Sequence, residues 1–394
     1  MTLALRRRRS WLLSTCLLAL AGPGLALGAG PQSSTQPAQD PSPAARPAPG
    51  DEARPSGAEM QQALQKAHQQ FKGTKDGKNA DYIPYLAKVD SSLFGLAIVT
   101  VDGEVYTVGD AASPFPIESL SKPFTLARLM EEVGAKKVED KIGVDATGQP
   151  FNSIIAIEMN KDHRAGNPLV NAGAITSVSM LPAKTPEERW KKVSDNFNAF
   201  AGDNLPVNQE VYKSETDTNT RNQSITALLE SYDVLGSPAD QALDVYTRQC
   251  SVNVTAKQLA TMGATLANGG INPLTGNRVI SADTARRTLA LMATNGLYEN
   301  TGEWLYQAGV PAKSGVGGGI VAVVPGRYAI AAFSPPLDKA GNSVRAQRAI
   351  AQVVNSLGDN LYASTPTPES QQGVGGAGKP AKKQKAAPPP TPAP

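Results

Sequence analysis

Phe94-Gly95-Leu96-Ala97-Ile98-Val99-Thr100-Val101-Asp102-Gly103-Glu104-Val105-Tyr106-Thr107-Val108 is the stretch on which the fold class turns. Its first eight residues are dense in β-branched and apolar side chains, and Asp102-Gly103 is a hairpin turn signal. Glu104 to Val108 then reads as the return strand. Far downstream, Ile320–Val324 and Tyr328–Phe333 repeat the pattern, joined at Pro325-Gly326. Between the two strand regions the apolar spacing is helical. Ser119–Val138 carries Leu120, Phe124, Leu126, Leu129 and Met130 on one side, and further helices are expected over 185–201, 222–235, 255–268 and 281–294. A last helix is expected at 343–356. Strands at both ends of the core with helices between them predict an α+β fold, not alternating βαβ units. The sheet is expected to be antiparallel, with the first and last strands paired.

Outward from this core, both ends of the chain change character. Arg6 to Arg9 form a basic block, followed by the apolar run Trp11–Leu20 and small residues up to Ala26 and Gly28, so residues 1–28 read as a signal peptide. The run is short for a membrane span. The arginine block is compatible with twin-arginine export, although the residues after it fit that route loosely. Cys16 lies midway through the run behind Thr15, which argues against a lipoprotein. Residues 29–58 and 363–394 are Pro, Ala, Gly, Gln and Lys with few large apolar side chains, a composition that cannot offset the entropy of ordering. They are expected to be disordered, which leaves 59–362 as the globular domain. Export, with a periplasmic destination, is the expectation.

Composition narrows the function classes. Loss of the signal peptide removes four arginines and takes the formal charge from +3 to about −1. No strongly basic surface remains to suggest a nucleic-acid partner. Cys250 is then the only cysteine, so no intrachain disulfide is possible, and it reads as a small buried apolar residue. Lys379, Lys382, Lys383 and Lys385 read as a solvated, mobile tail, with weak association with anionic surfaces as the sharper alternative. Two histidines are present, His68 in a helical stretch and His163 in the polar loop 161–166; neither sits in a metal-binding pattern, and both read as surface residues. No metal or organic cofactor is implied. A hydrolase with a side-chain nucleophile would need lysine or tyrosine as its base.

Ser119-Leu120-Ser121-Lys122 meets that need. Residues three apart share a helix face, so Lys122 can reach the Ser119 hydroxyl, and a serine in the first turn brings its own N–H and the helix dipole to a developing oxyanion. Pro123 has no N–H to donate and places the helix start close to Ser119. The base requires a lowered pKa, which burial supplies. S-x-x-K alone is a common pattern. Lys313-Ser314-Gly315, before the strand 317–324, adds to it: serine β-lactamases and penicillin-binding proteins pair S-x-x-K with K-T-G or K-S-G on an edge strand. The plainer reading of that tripeptide is a turn before a strand. Ser194-Asp195-Asn196 spells the third motif of those enzymes, but Trp190, Val193, Phe197 and Phe200 make the stretch an amphipathic helix. The three polar residues are expected on its solvated face.

The ordered motifs together resemble the glutaminase family from about residue 75 to 355. They are Ala80-Asp81-Tyr82-Ile83-Pro84, Glu118 to Lys122, Phe151-Asn152-Ser153, Asn167 to Ile175, and Ser214-Glu215 with Asn222 seven residues on. Tyr246 to Ser251, Leu266 to Gly270, Tyr298 and Pro311 to Ile320 complete the set. The resemblance implies a fold like that of the serine β-lactamases and penicillin-binding proteins, and hydrolysis of L-glutamine to L-glutamate and ammonia. It implies Ser119 as acylated nucleophile, Lys122 as base, and Tyr246 as proton relay. The Val316 N–H would share the oxyanion hole with that of Ser119. Asn171, Glu215, Asn222 and Tyr298 match residues that hold the substrate, with Glu215 the natural partner of its ammonium. A homodimer or homotetramer is implied as well. The chain departs from the family pattern at Glu118, where many members carry Gln, and at Pro123, where an aliphatic residue is common. Two other readings share the motifs: a penicillin-type serine hydrolase, which has no need of an ammonium-binding carboxylate, and a non-catalytic periplasmic amino-acid-binding protein, which has no need of Ser119 and Lys122.

Overall fold

A computed structural model describes residues 54–363. The expected signal peptide, most of the 29–58 linker and nearly all of the 363–394 tail lie outside the described residues. The first helix, Gly57–Phe71, opens on a capping box in which Ser56 accepts from the Glu59 N–H and Glu59 accepts from that of Ser56. It begins two residues before the expected edge of the domain.

The hairpin forms as expected, with β1 (Gly95–Thr100) paired to β2 (Val105–Gly109). The short strands β3 (Phe115–Pro116) and β4 (Asn253–Val254) pair with each other apart from the main sheet. The C-terminal strands are β5 (Ala312–Gly315), β6 (Gly319–Val324) and β7 (Tyr328–Phe333). The five-stranded sheet is antiparallel in the order β2-β1-β7-β6-β5. First and last strands pair in register, Leu96 opposite Ala332 and Ile98 opposite Ile330.

Alternation along the strands assigns their residues to two cores. Leu96, Ile98, Ile320, Tyr328 and Ile330 face the helices Gly57–Phe71 and Val344–Ser356, packing on Leu64, Ile350 and Val353. Ala97, Val99, Val321, Ala329 and Phe333 face the helix Ala256–Ala267 and the larger helical region. Both faces are covered, which is why β1, β6 and β7 read as continuous apolar runs.

One expected helix is divided. Glu118–Ser121 forms a 3₁₀ turn, the α-helix runs Lys122–Val133, and a second begins at Ala135. Gly134, at φ 83°, breaks the path because it takes up a conformation closed to other residues. Pro123 lies in the first helical turn, where its missing N–H costs nothing. Another expectation is corrected at Ser194-Asp195-Asn196. Asp195 is exposed, but Asn196 is buried and donates from Nδ2 to the Phe124 carbonyl at 2.9 Å. It pins the helix that follows Ser119.

Candidate active site

The site forms where four elements converge. The 3₁₀ turn that holds Ser119 packs against β5, so close that a Cβ on Gly315 would stand 3.0 Å from the Ile117 carbonyl. The helix Ala239–Cys250 brings Tyr246 to the same place. It is tied to the helix after Ser119 by the hydrogen bond from Thr125 Oγ1 to Gln249 Oε1, 2.8 Å. The helix Asn171–Met180 is buried along almost its whole length and points its first residue into the site. A side chain at Gly173 would place its Cβ 1.9 Å from the Asn167 carbonyl, so this approach depends on glycine.

Ser119 is buried, and so is Lys122, at 1% exposure. Lys122 Nζ donates to Asn171 Oδ1 at 2.6 Å, and Asn171 Nδ2 donates to Asn222 Oδ1 at 2.9 Å. The order follows from chemistry: an amine here must find an acceptor, which turns the Asn171 amide and then that of Asn222. The Lys122 amine also lies 5.5 Å from the centre of the Tyr298 ring and 6.0 Å from that of Tyr246. Burial pushes its pKa down to about 7, against smaller opposing pulls from Cys250 and Glu118. An amine so placed is a base at neutral pH.

Lys313, on β5, is a second fully buried lysine. Its Nζ donates to the Ser314 carbonyl at 2.7 Å and stands 4.0 Å over the Tyr298 ring. Burial and then the Lys122 charge hold its pKa well below the lysine range. Tyr298 itself sits at φ 56°, packs on Phe151 with ring centres 5.1 Å apart, and has a buried hydroxyl with no hydrogen-bond partner, beside Ser119. Phe151 also accepts the Asn171 N–H at 2.9 Å, which accounts for one of the motifs whose role the sequence left open. Val316 begins the turn between β5 and β6.

Glu215 enters from the helix Gln209–Thr218, whose start is capped by the Asn208 side chain. Its Oε1 is buried without a donor, and burial raises its pKa. Ser214, beside it, accepts the Tyr85 N–H at 3.2 Å and so anchors the segment that carries Tyr82. All seven residues expected to bind or react (Ser119, Lys122, Asn171, Glu215, Asn222, Tyr246 and Tyr298) lie in this one region, with Val316 at its edge.

Two residues of the region were not expected there. Cys250 is buried, as expected, but it lies one turn after Tyr246 with its thiol against the Tyr246 hydroxyl. Burial and then the facing Glu118 and Glu215 push that thiol well above the usual cysteine range, which disfavours the thiolate. The i, i+4 spacing from Tyr246 was the available signal. Tyr82 faces Glu118 and Glu215 from the N-terminal segment. The histidines lie elsewhere: His68 stacks on Phe94 and His163 on Tyr232.

A five-stranded antiparallel sheet packed against a helical region, with a buried serine and lysine one turn apart where they meet, is a β-lactamase-like scaffold. Comparison with known proteins narrows the class. The glutaminase family profile matches residues 77–362. The chain is 54% identical over 303 residues to the glutaminase of Colwellia psychrerythraea, covering 77% of this chain and 97% of that one. It is 50% identical over 307 residues to the glutaminase of Mycobacterium ulcerans, covering 78% and 96%. Among solved structures, the probable glutaminase ybaS superposes with TM-score 0.77 at 49% identity, over 79% of this chain and 100% of that one. Mglu in its glutamate form gives TM-score 0.73 at 37% identity, over 76% and 69%. This chain belongs to the glutaminase family, a family of amidohydrolases.

Proposed function

We propose that this chain hydrolyses L-glutamine to L-glutamate and ammonia through a serine-linked glutamyl-enzyme. The observation that carries the reading is the buried Lys122 amine, one turn after Ser119 and hydrogen-bonded to Asn171, with its pKa lowered by burial to about 7. Lys122 takes the Ser119 hydroxyl proton as Oγ attacks the side-chain amide carbon. The C–N bond breaks, and ammonia leaves with a proton delivered from Lys122, with Tyr246 as relay. Water then attacks the ester, giving up its proton by the same route, and L-glutamate leaves with Ser119 restored. The N–H groups of Ser119 and Val316 receive the oxyanion in both halves. Glu215 takes the substrate ammonium, and Asn171, Asn222 and Tyr298 hold the rest of the amino acid. Mglu, a solved relative, is known in a glutamate form, which suits a family that releases this product.

The N-terminal sequence supports export, with the periplasm as the site of action, and the family supports a homodimer or homotetramer. Ammonia release by the purified chain from L-glutamine, beside Ser119→Ala, tests the reaction. Release by the wild type alone is expected; equal release by both would overturn the role of Ser119. L-Asparagine in the same assay sets the chain-length preference.

A further inference from the structure

Val316 is the only side chain in the run Gly315-Val316-Gly317-Gly318-Gly319 that joins β5 to β6. A turn so rich in glycine has little stiffness of its own. The Gly318 N–H donates to the Gly315 carbonyl at 3.0 Å, and what else fixes the turn comes from outside it. The loop that follows β7 doubles back onto it. Ser334, the first residue past β7, donates its N–H to the Gly318 carbonyl at 2.9 Å. At the far end of the loop, Ser343 Oγ donates to the Ser334 carbonyl at 2.6 Å, which ties the two ends together. Between those ends the loop meets Val316. A Cβ at Gly341 would stand 3.5 Å from Val316 Cγ1 and 3.8 Å from Phe151 Cε1. Leu337 packs with Val316 in a small apolar cluster completed by Ala80, Ile83 and Leu86. A bridge to the N-terminal segment holds Leu337 there: its N–H donates to the Lys78 carbonyl at 2.8 Å and its carbonyl accepts the Lys78 N–H at 3.1 Å.

Asp338 gives this loop its shape. Its Oδ1 accepts the N–H groups of Ala340 at 2.9 Å and Asn342 at 3.0 Å. Its Oδ2 accepts Gln347 Nε2 at 2.9 Å, from the helix Val344–Ser356. The Asp338 N–H donates to the Asn342 carbonyl at 2.8 Å, which closes residues 338–342 on themselves. Gly341 sits at φ 88° in the closed loop, a conformation that suits glycine. The reaction above assigns none of these residues a part.

We propose that Asp338 is a positioning residue for the oxyanion hole: by closing the loop 338–342 it seats Leu337 and Gly341 against Val316, and so fixes the Val316 N–H. The inference rests on the glutaminase reading for the role of that N–H. An oxyanion donor is effective only where it is preorganised, and a displacement of about 1 Å can cost about a hundredfold in rate. In a turn with one side chain, that side chain is the handle by which the rest of the fold can hold the backbone. The brace acts on the transition state, because the oxyanion is formed there and is absent from bound L-glutamate.

The test compares full-length wild type with Asp338→Ala, Asp338→Asn and Gly341→Ala. Asp338→Ala removes the acceptor of three N–H donors and should lower kcat for L-glutamine roughly tenfold or more. KM, and calorimetric binding of L-glutamate, should change by less than about twofold. Asp338→Asn keeps Oδ1 for the two loop N–H groups and should restore most of the rate. Gly341→Ala leaves Asp338 in place but strains the loop where it meets Val316, and should show the same loss in kcat. Hydrogen exchange followed by mass spectrometry should show the peptide spanning residues 312–320 exchanging faster in Asp338→Ala and near wild type in Asp338→Asn. A folded Asp338→Ala protein with wild-type kcat, or Asp338→Asn as slow as Asp338→Ala, would overturn the inference. So would a loss carried in KM and L-glutamate binding with kcat unchanged. Should wild type release no ammonia, the glutaminase reading falls, and exchange of the 312–320 peptide in the same variants still decides whether Asp338 holds the turn; unchanged exchange in Asp338→Ala would overturn it.

Discussion

Asn171→Asp is the change that probes the lysine base most directly. It leaves an oxygen where Lys122 Nζ now donates at 2.6 Å, so the geometry of the pair survives. Asn222 can meet the altered side chain by turning its amide to donate. What changes is charge: a buried carboxylate replaces a neutral amide next to the amine. With charge centres about 4 Å apart and an effective dielectric of about 20, the attraction is about 4 kcal/mol, or about 3 pK units. Lys122 would move from about 7 to roughly 10. At pH 7.5 the neutral fraction of Lys122 would then fall from about three quarters to below about 1%, a loss in kcat on the order of a hundredfold. The sign matters as much as the size, because the loss must be recovered as pH rises. Ammonia release at saturating L-glutamine, followed from pH 6 to 10.5, should show the ascending limb of kcat displaced to higher pH with a similar plateau. A uniform loss at every pH, with the midpoint unmoved, would refute Lys122 as the base whose ionisation governs the rate.

Other outcomes follow from the same structure. Ser119→Ala should abolish turnover while changing stability by less than about 1 kcal/mol in denaturant melts, since only one small hydroxyl is removed. Lys122→Met should alter the pH dependence of stability. Lys122 is neutral in the fold above about 7 and protonated in the unfolded chain up to its ordinary value of 10.5, so unfolding takes up a proton between them. Stability conferred through this group rises with pH across that window, and melts of Lys122→Met should lack that rise. Gly173→Ala should cost about 2–3 kcal/mol and lower activity, because the new methyl displaces the helix that positions Asn171. Arg345→Met should destabilise by about 3 kcal/mol in thermal melts. That guanidinium bonds Ser334 Oγ at 2.6 Å and the carbonyls of Ser91 and Leu93, which would be left bare.

The sheet was legible because both its faces are buried. β1, β6 and β7 are continuous apolar runs bounded by Asp102-Gly103 and Pro325-Gly326, and no helical period competes with them. The helices were legible in position but not in their ends. Apolar spacing runs on past Gly134, so only a backbone angle shows that the path breaks there. The residues that act through polar contacts were legible only by motif. Asn196 looks like a solvated side chain until its acceptor, the Phe124 carbonyl 72 positions earlier, is brought alongside. The Lys122–Asn171–Asn222 relay spans 49 and then 51 residues of sequence, and no local pattern encodes it. Cys250 was read correctly as buried and missed as a neighbour of Tyr246, because burial follows from composition while proximity follows from the fold.

The chemistry of the site explains why so much of the scaffold is devoted to burying it. Glu118, Lys122 and Lys313 are all nearly inaccessible, and the Glu215 carboxyl is closed off at Oε1. Charged, they would each be costly in this setting, so the fold drives the lysines toward neutrality and the Glu118 carboxyl toward its acid form. A lysine whose pKa is lowered in this way can serve as a base. The same desolvation that weakens the folded state therefore prepares the reacting groups. The apolar layers on both faces of the sheet, from Leu64 and Ile350 on one side to Val99 and Phe333 on the other, supply the burial that offsets it. On this argument, substitutions that relieve the buried lysines should raise stability at neutral pH only where their hydrogen-bond acceptors are satisfied in turn. Lys122→Met alone, which strands Asn171 Oδ1, should gain less than the same change combined with an apolar residue at 171. A single variant as stable as the double would mean that the Asn171 acceptor finds another donor, and that the relay to Asn222 is looser than its distances imply.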